Sequence, residues 1–230
     1  MCGRFTLTAS PRELARHFEL EETPELRARF NAAPGQAVAS VRRAGGRVLE
    51  MRRWGLVPPW VRDPRTGLRC INARAESADR KAAFRRAYRE RRCLVPADGF
   101  YEWGRGSGLP YRVTLGDGAL FGFAGLWEEW RGPEGEAVDS CAILTTEASE
   151  PLQRIHGRMP VILDAADYAA WLDPDLRDAA RIAGLLGRAC REGLRAQRVG
   201  RRVNDVAADD AGLLEPLPEV PEPAQLGLDL

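Results

Sequence analysis

Histidine is nearly missing from this 230-residue sequence, which holds only His17 and His156. With so few imidazoles a transition-metal centre is hard to assemble, and no metal site is expected. Lysine is scarcer still, Lys81 being alone among arginines in a set of 34 basic residues. No apolar run approaches the length of about 18 residues that a membrane helix needs. An apolar signal segment, a lipobox and a glycine at position 2 are all missing, so secretion, lipoprotein anchoring and myristoylation are not expected. The five cysteines (2, 70, 93, 141 and 190) are odd in number and form no C-x-x-C pair, which suits a reducing cytoplasm better than a disulfide frame. There is no G-x-x-x-x-G-K-[ST] loop and no G-x-S-x-G elbow. Gly104-Arg105-Gly106-Ser107-Gly108 lacks the helix that a dinucleotide fingerprint requires.

What is there is unevenly placed. The net charge is only +1, yet residues 41–92 carry 16 basic against 5 acidic side chains, and residues 204–230 carry 7 acids and no base. A basic centre of this kind suits an anionic partner, and arginine forks suit phosphate. An arginine-rich composition shared by the whole source genome explains the same bias equally well.

The pattern along the chain predicts one mixed α+β domain with many short strands. Gly3 to Thr8 reads as a strand. Ser10-Pro11-Arg12-Glu13 is a capping box with proline at the first helical position, and Leu14 and Phe18 continue a short amphipathic helix that leaves His17 at its surface or end. Phe30 to Gln36 is rich in turn residues. Val38–Val41 and Val48–Trp54 flank Gly45-Gly46 as a hairpin. Two prolines keep Trp54 to Trp60 out of regular structure, as a core cover or a binding wall. Glu76–Arg91 has helical spacing at Ala83, Phe84, Ala87 and Tyr88. Strands and turns follow to Thr146, Asp164 caps a helix through Trp171-Leu172, more helix is expected over Leu176–Arg195, and Val199–Asn204 reads as a closing strand. Beyond about residue 211 the acidic, proline-rich sequence has too little apolar content to fold alone and is expected to be a disordered tail over 211–230.

Cys2 is the residue with the most distinctive chemistry. Removal of Met1 leaves a free amine and a thiol on adjacent carbons, a pair that closes on an aldehyde as a five-membered thiazolidine. An α-amine with a pKa of about 7.7–8.0 is partly neutral at pH 7, whereas a thiol near about 8.5 offers little thiolate. Free cysteines are more often inert packing residues. Glu102 lies between Tyr101 and Trp103, and strand alternation puts it on the opposite face; burial there makes it a usable acid–base group, while an edge position leaves it in water. His156, in Ile155-His156-Gly157-Arg158-Met159-Pro160, is either a proton carrier or a structural turn residue. Asn72 is either an orienting amide or a turn cap. Trp127 and Trp171 read as core.

Eight segments in order resemble the SRAP family of SOS-response-associated peptidases, or abasic-site-processing proteins. They are Met1-Cys2-Gly3-Arg4, Phe30-Asn31-Ala32-Ala33-Pro34, Arg53 to Trp60, Ile71 to Glu76, Arg92 to Trp103, Ala124 to Trp127, Ile143 to Thr146 and His156 to Pro160. The departures are Phe30, where the family often has tyrosine, and Gly157, where it often has aspartate. The resemblance implies an α+β domain over 1–210, its short and mostly antiparallel strands forming a barrel-like core with flanking helices. It implies binding to abasic sites in single-stranded DNA, with Cys2 forming the covalent bond, Asn72 holding the N-terminal residue, Glu102 moving protons and His156 assisting sugar-ring opening. Arg4, Arg74 and Arg158 would hold phosphates, and Gly3, Pro34 and Trp103 would line the path of the strand. No cofactor is implied. The partner would be DNA, met by a monomer in the cytoplasm and on the nucleoid, with no membrane and no assigned partner for the tail.

Two other classes of function stay open on the residues. One is an N-terminal-cysteine hydrolase, either a peptidase or a class II glutamine amidotransferase, although no His-Asn-Gly segment supports the latter. The other is a non-covalent single-strand binder that relies on the basic centre alone.

Overall fold

The computed structural model describes residues 2–116, 118–150, 152–189 and 192–218. Phe5 and Leu7 alternate with polar neighbours in β1 (Arg4–Leu7), and the chain then turns into α1 (Pro11–Phe18). The expected capping box is formed: Ser10 Oγ accepts from the Glu13 amide while the Glu13 carboxylate takes the Ser10 amide. Leu14 and Phe18 are buried, and His17 sits against Phe18 and Tyr168 at the helix end, with Nε2 3.3 Å from the tyrosine hydroxyl.

The strands β2 (Arg29–Ala32), β3 (Ala37–Ala44), β4 (Gly46–Trp54), β5 (Asn72–Arg74), β6 (Arg92–Ala97) and β7 (Gly99–Trp103) follow, with α2 (Arg85–Glu90) between β5 and β6. Then come β8 (Pro110–Leu115), β9 (Phe121–Arg131), β10 (Ala137–Glu147), β11 (Arg158–Pro160), β12 (Ile162–Leu163), α3 (Tyr168–Leu172), α4 (Ala179–Gly187) and β13 (Leu194–Arg198). One sheet has the order β13-β8-β7-β1-β2. The other runs β11-β10-β4-β3-β6-β9-β12, and a further β9–β10 pairing closes β10, β4, β3, β6 and β9 into a barrel. The pairings are antiparallel except that β4 and β5 run parallel to β10. The α+β class, the barrel-like core and the flanking helices are as the sequence implied.

Closure buries both faces of β6 and of the adjoining stretches of β3, β9 and β10, which there read as near-continuous apolar runs, whereas β4 is mostly half-buried and carries charged residues. Cys93, Val95, Phe123, Cys141 and Ile143 join Cys2, Phe5 and Phe100 in one apolar cluster. The intervening Leu94, Ala124, Leu126, Ala142 and Leu144 join a second cluster with Tyr88, Trp171 and Ile182 from the helices. Burying side chains of this size stabilises by roughly 1.5–3 kcal/mol each. The β3–β4 hairpin turns at Gly45, whose φ of +81° suits a residue without a β-carbon. Trp54, Leu56 and Val57 cover the core while Trp60 at the end of that loop is exposed. Trp171 is core; Trp127 is half-buried with the guanidinium groups of Arg42, Arg52 and Arg91 around its ring.

Several boundaries differ from the sequence expectation. Phe30 to Ala32 is strand rather than turn, because Tyr101 Oη and the Asp209 carboxylate hold its backbone. The helix expected over Glu76–Arg91 shrinks to α2, preceded by isolated turns, since Ala75 still follows β10 through its amide bond to Thr145 O. The closing strand is β13, earlier than Val199–Asn204, and Arg201–Asn204 is a 3-10 turn. Leu194 and Ala196 turn inward there, which removes residues 194–195 from the expected helix. Residues 211–218 also lie on the domain. Leu213 is buried, Pro216 bridges Val199, and the Leu217 amide donates to Arg198 O. The rest of the expected tail, 219–230, lies outside the described residues. Among those described, no helix is long and apolar enough to cross a membrane.

Candidate active site

Antiparallel pairing sets Arg4 opposite Tyr101 and Phe5 opposite Phe100. Continuing that register backwards brings Gly3 and Cys2 alongside Glu102 and Trp103. Cys2 is fully buried, and its thiol donates weakly to Arg4 O at 3.9 Å. From the other sheet, β5 runs beside β10 with Asn72 opposite Ile143, and Asn72 Nδ2 donates to Cys2 O at 2.7 Å. Asn72 Oδ1 is buried and has no hydrogen-bond partner among the described residues. Two sheets thus grip one short segment.

Glu102 is 2% exposed, facing away from its neighbours on β7 as alternation predicted. The water-facing alternative is excluded. Burial pushes its carboxyl up to about 7. Burial, and then the negative charge of Glu102, push the Cys2 thiol well above its ordinary value. The thiol therefore rests protonated near neutral pH. His156 is partly buried, its Nδ1 3.9 Å from Glu102 Oε2. Nδ1 also lies 3.1 Å from the Arg158 amide and 3.0 Å from the Arg158 carbonyl, so either tautomer finds a backbone partner. Burial lowers its pKa, the hydrogen bond with the Arg158 backbone opposes that, and the charges of Arg105 and Arg158 make smaller contributions in the lowering direction. Cys2, Asn72, Glu102 and His156, far apart in sequence, converge on one place.

The arginines expected at phosphates are less alike. Arg158 makes a two-pronged bond to Glu76, 2.9 Å on each side, and also donates to Thr145 O. Arg4 is turned toward the C-terminal 3-10 turn, donating to Asn31 Oδ1 at 3.0 Å and to the carbonyls of Val203 and Asn204. Arg74 alone of the three is exposed and without an ion-pair partner among the described residues. It opens onto a cleft of about 460 Å³ that Arg105, Glu147, Gln153, Gly157 and Arg158 also line. Trp103 is half-buried, with Nε1 donating to Asn204 Oδ1 at 2.8 Å. Pro34 is partly buried in the turn that Gly35 (φ +85°) completes. Among the described residues no group of three or more His, Cys, Asp or Glu side chains is placed to hold a metal ion.

The family profile described as SOS response associated peptidase (SRAP) matches residues 1–206. The chain belongs to the SRAP family. Its relatives include the abasic site processing protein YoqW of Bacillus subtilis, 37% identical over 94% of this chain and 99% of that protein. YoaM of the same organism, another abasic site processing protein, is 38% identical over 94% of this chain and 98% of the other. A crystal structure from Bordetella bronchiseptica superposes with a TM-score of 0.73 at 30% identity, covering 86% of this chain and 100% of its own. One from Bacteroides thetaiotaomicron reaches a TM-score of 0.83 at 23% identity over 94% of this chain and 100% of the other, a likeness of fold alone.

Within this SRAP domain, sequence reasoning missed Glu76, Asn204 and Arg105, each of which touches a residue it singled out or its neighbour. Asn204 is an ordinary polar residue whose partner is distant in sequence, and Glu76, though it ends the shared segment Ile71 to Glu76, carries no sign that it pairs with Arg158. Arg105 lies just past the segment Arg92 to Trp103, and nothing local shows that it meets Gly157 across the cleft.

Proposed function

We propose that this protein binds abasic sites in single-stranded DNA and, after loss of Met1, bonds to them through Cys2 as a thiazolidine. The reading is supported above all by the packing of Cys2 between Asn72 and Glu102: once Met1 is removed, an aminothiol would stand in a dry site beside a carboxyl that titrates near neutrality. The names of YoqW and YoaM point the same way.

The roles follow from the chemistry. Hydrolysis of the Met1–Cys2 bond, by the chain or by an aminopeptidase, frees the amine. The unpartnered Asn72 Oδ1 is an acceptor for it. His156 and Glu102 take the proton from the C1′ hydroxyl of the abasic sugar and protonate the ring oxygen, giving the open aldehyde. The neutral amine attacks C1′, the carbinolamine loses water with a proton from Glu102, and an iminium remains. The thiol then adds to that carbon. Its proton passes to the Glu102 carboxylate and the C=N electron pair returns to nitrogen. One C–N and one C–S bond form and one water is released. The reverse sequence frees the DNA. A raised thiol pKa fits this order, with amine first and sulfur second. Arg74 at the mouth supplies charge for the phosphates, and Trp103 a face for an unpaired base, with stacking worth about 1–3 kcal/mol.

The test is a denaturing gel of protein mixed with an abasic single strand. Wild type gives an adduct without reductant, whereas Cys2→Ala gives one only when borohydride traps its Schiff base. An equally stable adduct from Cys2→Ala without reductant refutes the thiazolidine.

A further inference from the structure

We propose that Arg105, admitted to the cleft by Gly157, is an additional phosphate-binding residue on the His156 side of the site. This rests on the single-strand reading above and extends it to a residue of this chain outside the shared segments.

The connection between β7 and β8 is tied down where it passes the site. The Gly104 amide donates to Leu109 O, the Gly108 amide to Gly104 O, and the Arg105 amide to Ile155 O at 3.1 Å. The last bond docks the connection on the segment that carries His156. It leaves the Arg105 side chain lying across Gly157. A β-carbon built on Gly157 would fall inside the envelope of Arg105 Nη2 and only 3.2 Å from Cζ. In this position the guanidinium occupies space that a side chain at 157 would claim, and being the far end of a flexible side chain it would move aside. An aspartate there would both displace the guanidinium and neutralise it.

Charge accounting at the cleft makes the position matter. Arg158 is neutralised by its bond to Glu76. Glu147 also lines the cleft and works against an anion. Arg74 and Arg105 are both exposed, and no carboxylate among the described residues lies within ion-pairing distance of either. They form a pair of uncommitted forks on one cleft, suited to the oxygens of a phosphodiester strand. The lowered pKa of His156, owed mainly to burial with a smaller contribution from Arg105, agrees with a guanidinium on the same side of the site.

The experiment measures salt dependence of binding to an undamaged single strand by the full chain. On single strands each phosphate contact contributes a log–log slope of about −0.7, so between 50 and 200 mM salt one contact accounts for about a 2.6-fold fall in affinity. Arg105→Ala is expected to lose that increment of slope, and Arg105→Lys to keep it, because an ammonium releases a counterion equally well. Gly157→Ala is expected to shrink the slope when Arg105 is present and to leave it unchanged in the Arg105→Ala background. An Arg105→Ala slope equal to wild type overturns the phosphate role, and an unchanged Gly157→Ala slope overturns the part given to glycine. Undamaged DNA keeps this test apart from the covalent reading. Loss of slope with no abasic adduct would sink the crosslink and leave Arg105 standing; an adduct with unchanged slope would do the reverse.

Discussion

Replacing Glu102 with glutamine should make the protein more stable and less active, and the first effect has a sign fixed by pH. In the folded site burial holds the Glu102 carboxyl at about 7, against 4.5 for an exposed glutamate. Between those values the native state keeps a proton that the unfolded chain has released. Stability therefore falls as pH rises from about 4.5, and the loss is complete a little above about 7. At 1.36 kcal/mol per pH unit the gap corresponds to about 3 kcal/mol. Glutamine has the same shape and cannot ionise, so Glu102→Gln avoids that loss. Urea unfolding followed by tryptophan fluorescence should show the variant within about 1 kcal/mol of wild type at pH 4.5 and ahead by about 3 kcal/mol at pH 8, with the slope m unchanged. In a domain of this size that is roughly 6–12 °C in Tm. Adduct formation should fall by roughly 10²–10⁴-fold, the usual contribution of one acid–base group. If the stability difference is the same at both pH values, the buried, neutral-poised carboxyl is the wrong description of Glu102.

Other perturbations separate the parts of the site. Asn72→Ala removes the donor to Cys2 O and should slow single-turnover crosslinking by about tenfold, the worth of one good hydrogen bond, while leaving binding to undamaged DNA intact. Asp98 accepts from Thr6 Oγ1, Thr8 Oγ1 and the amides of Thr8 and Ala9, so Asp98→Ala strands several donors where β1 meets α1. It should lower stability by about 3 kcal/mol in urea unfolding, and a loss under about 1 kcal/mol would show the cluster to be incidental. Asn204→Ala releases the Trp103 indole and should weaken single-strand binding by less than Trp103→Ala does; an effect larger than the tryptophan's own would contradict an orienting role.

The sequence carried local signals faithfully and distant ones poorly. The Ser10–Glu13 capping box, the glycine hairpin at 45 and the alternation that sets Glu102 opposite Tyr101 and Trp103 depend on neighbours a few residues away, and each could be read directly, whereas the burial of Glu102 is decided by the fold. The convergence of Cys2, Asn72, Glu102 and His156 rested on resemblance, since no spacing rule links residues 2, 72, 102 and 156. The strand at 194–198 was misplaced because its alternation is masked by arginines, and only pairing with β8 decides it. Residues 211–218 read as tail because Leu213 and Pro216 find their partners on the folded surface rather than in their own segment. Arg4 and Arg158 looked like Arg74 in sequence, but Asn31, Val203 and Glu76 have already taken most of their donors. Which arginines remain available is a property of the folded surface.

The central claim is a covalent bond between the freed Cys2 and an abasic sugar. Intact mass of the purified protein, alone and after mixing with a single strand carrying one abasic site, tests it most directly. The account predicts protein lacking the mass of Met1, and an adduct equal to protein plus DNA minus one water that survives denaturation without borohydride. Protein that has lost Met1 yet forms no such adduct would contradict it.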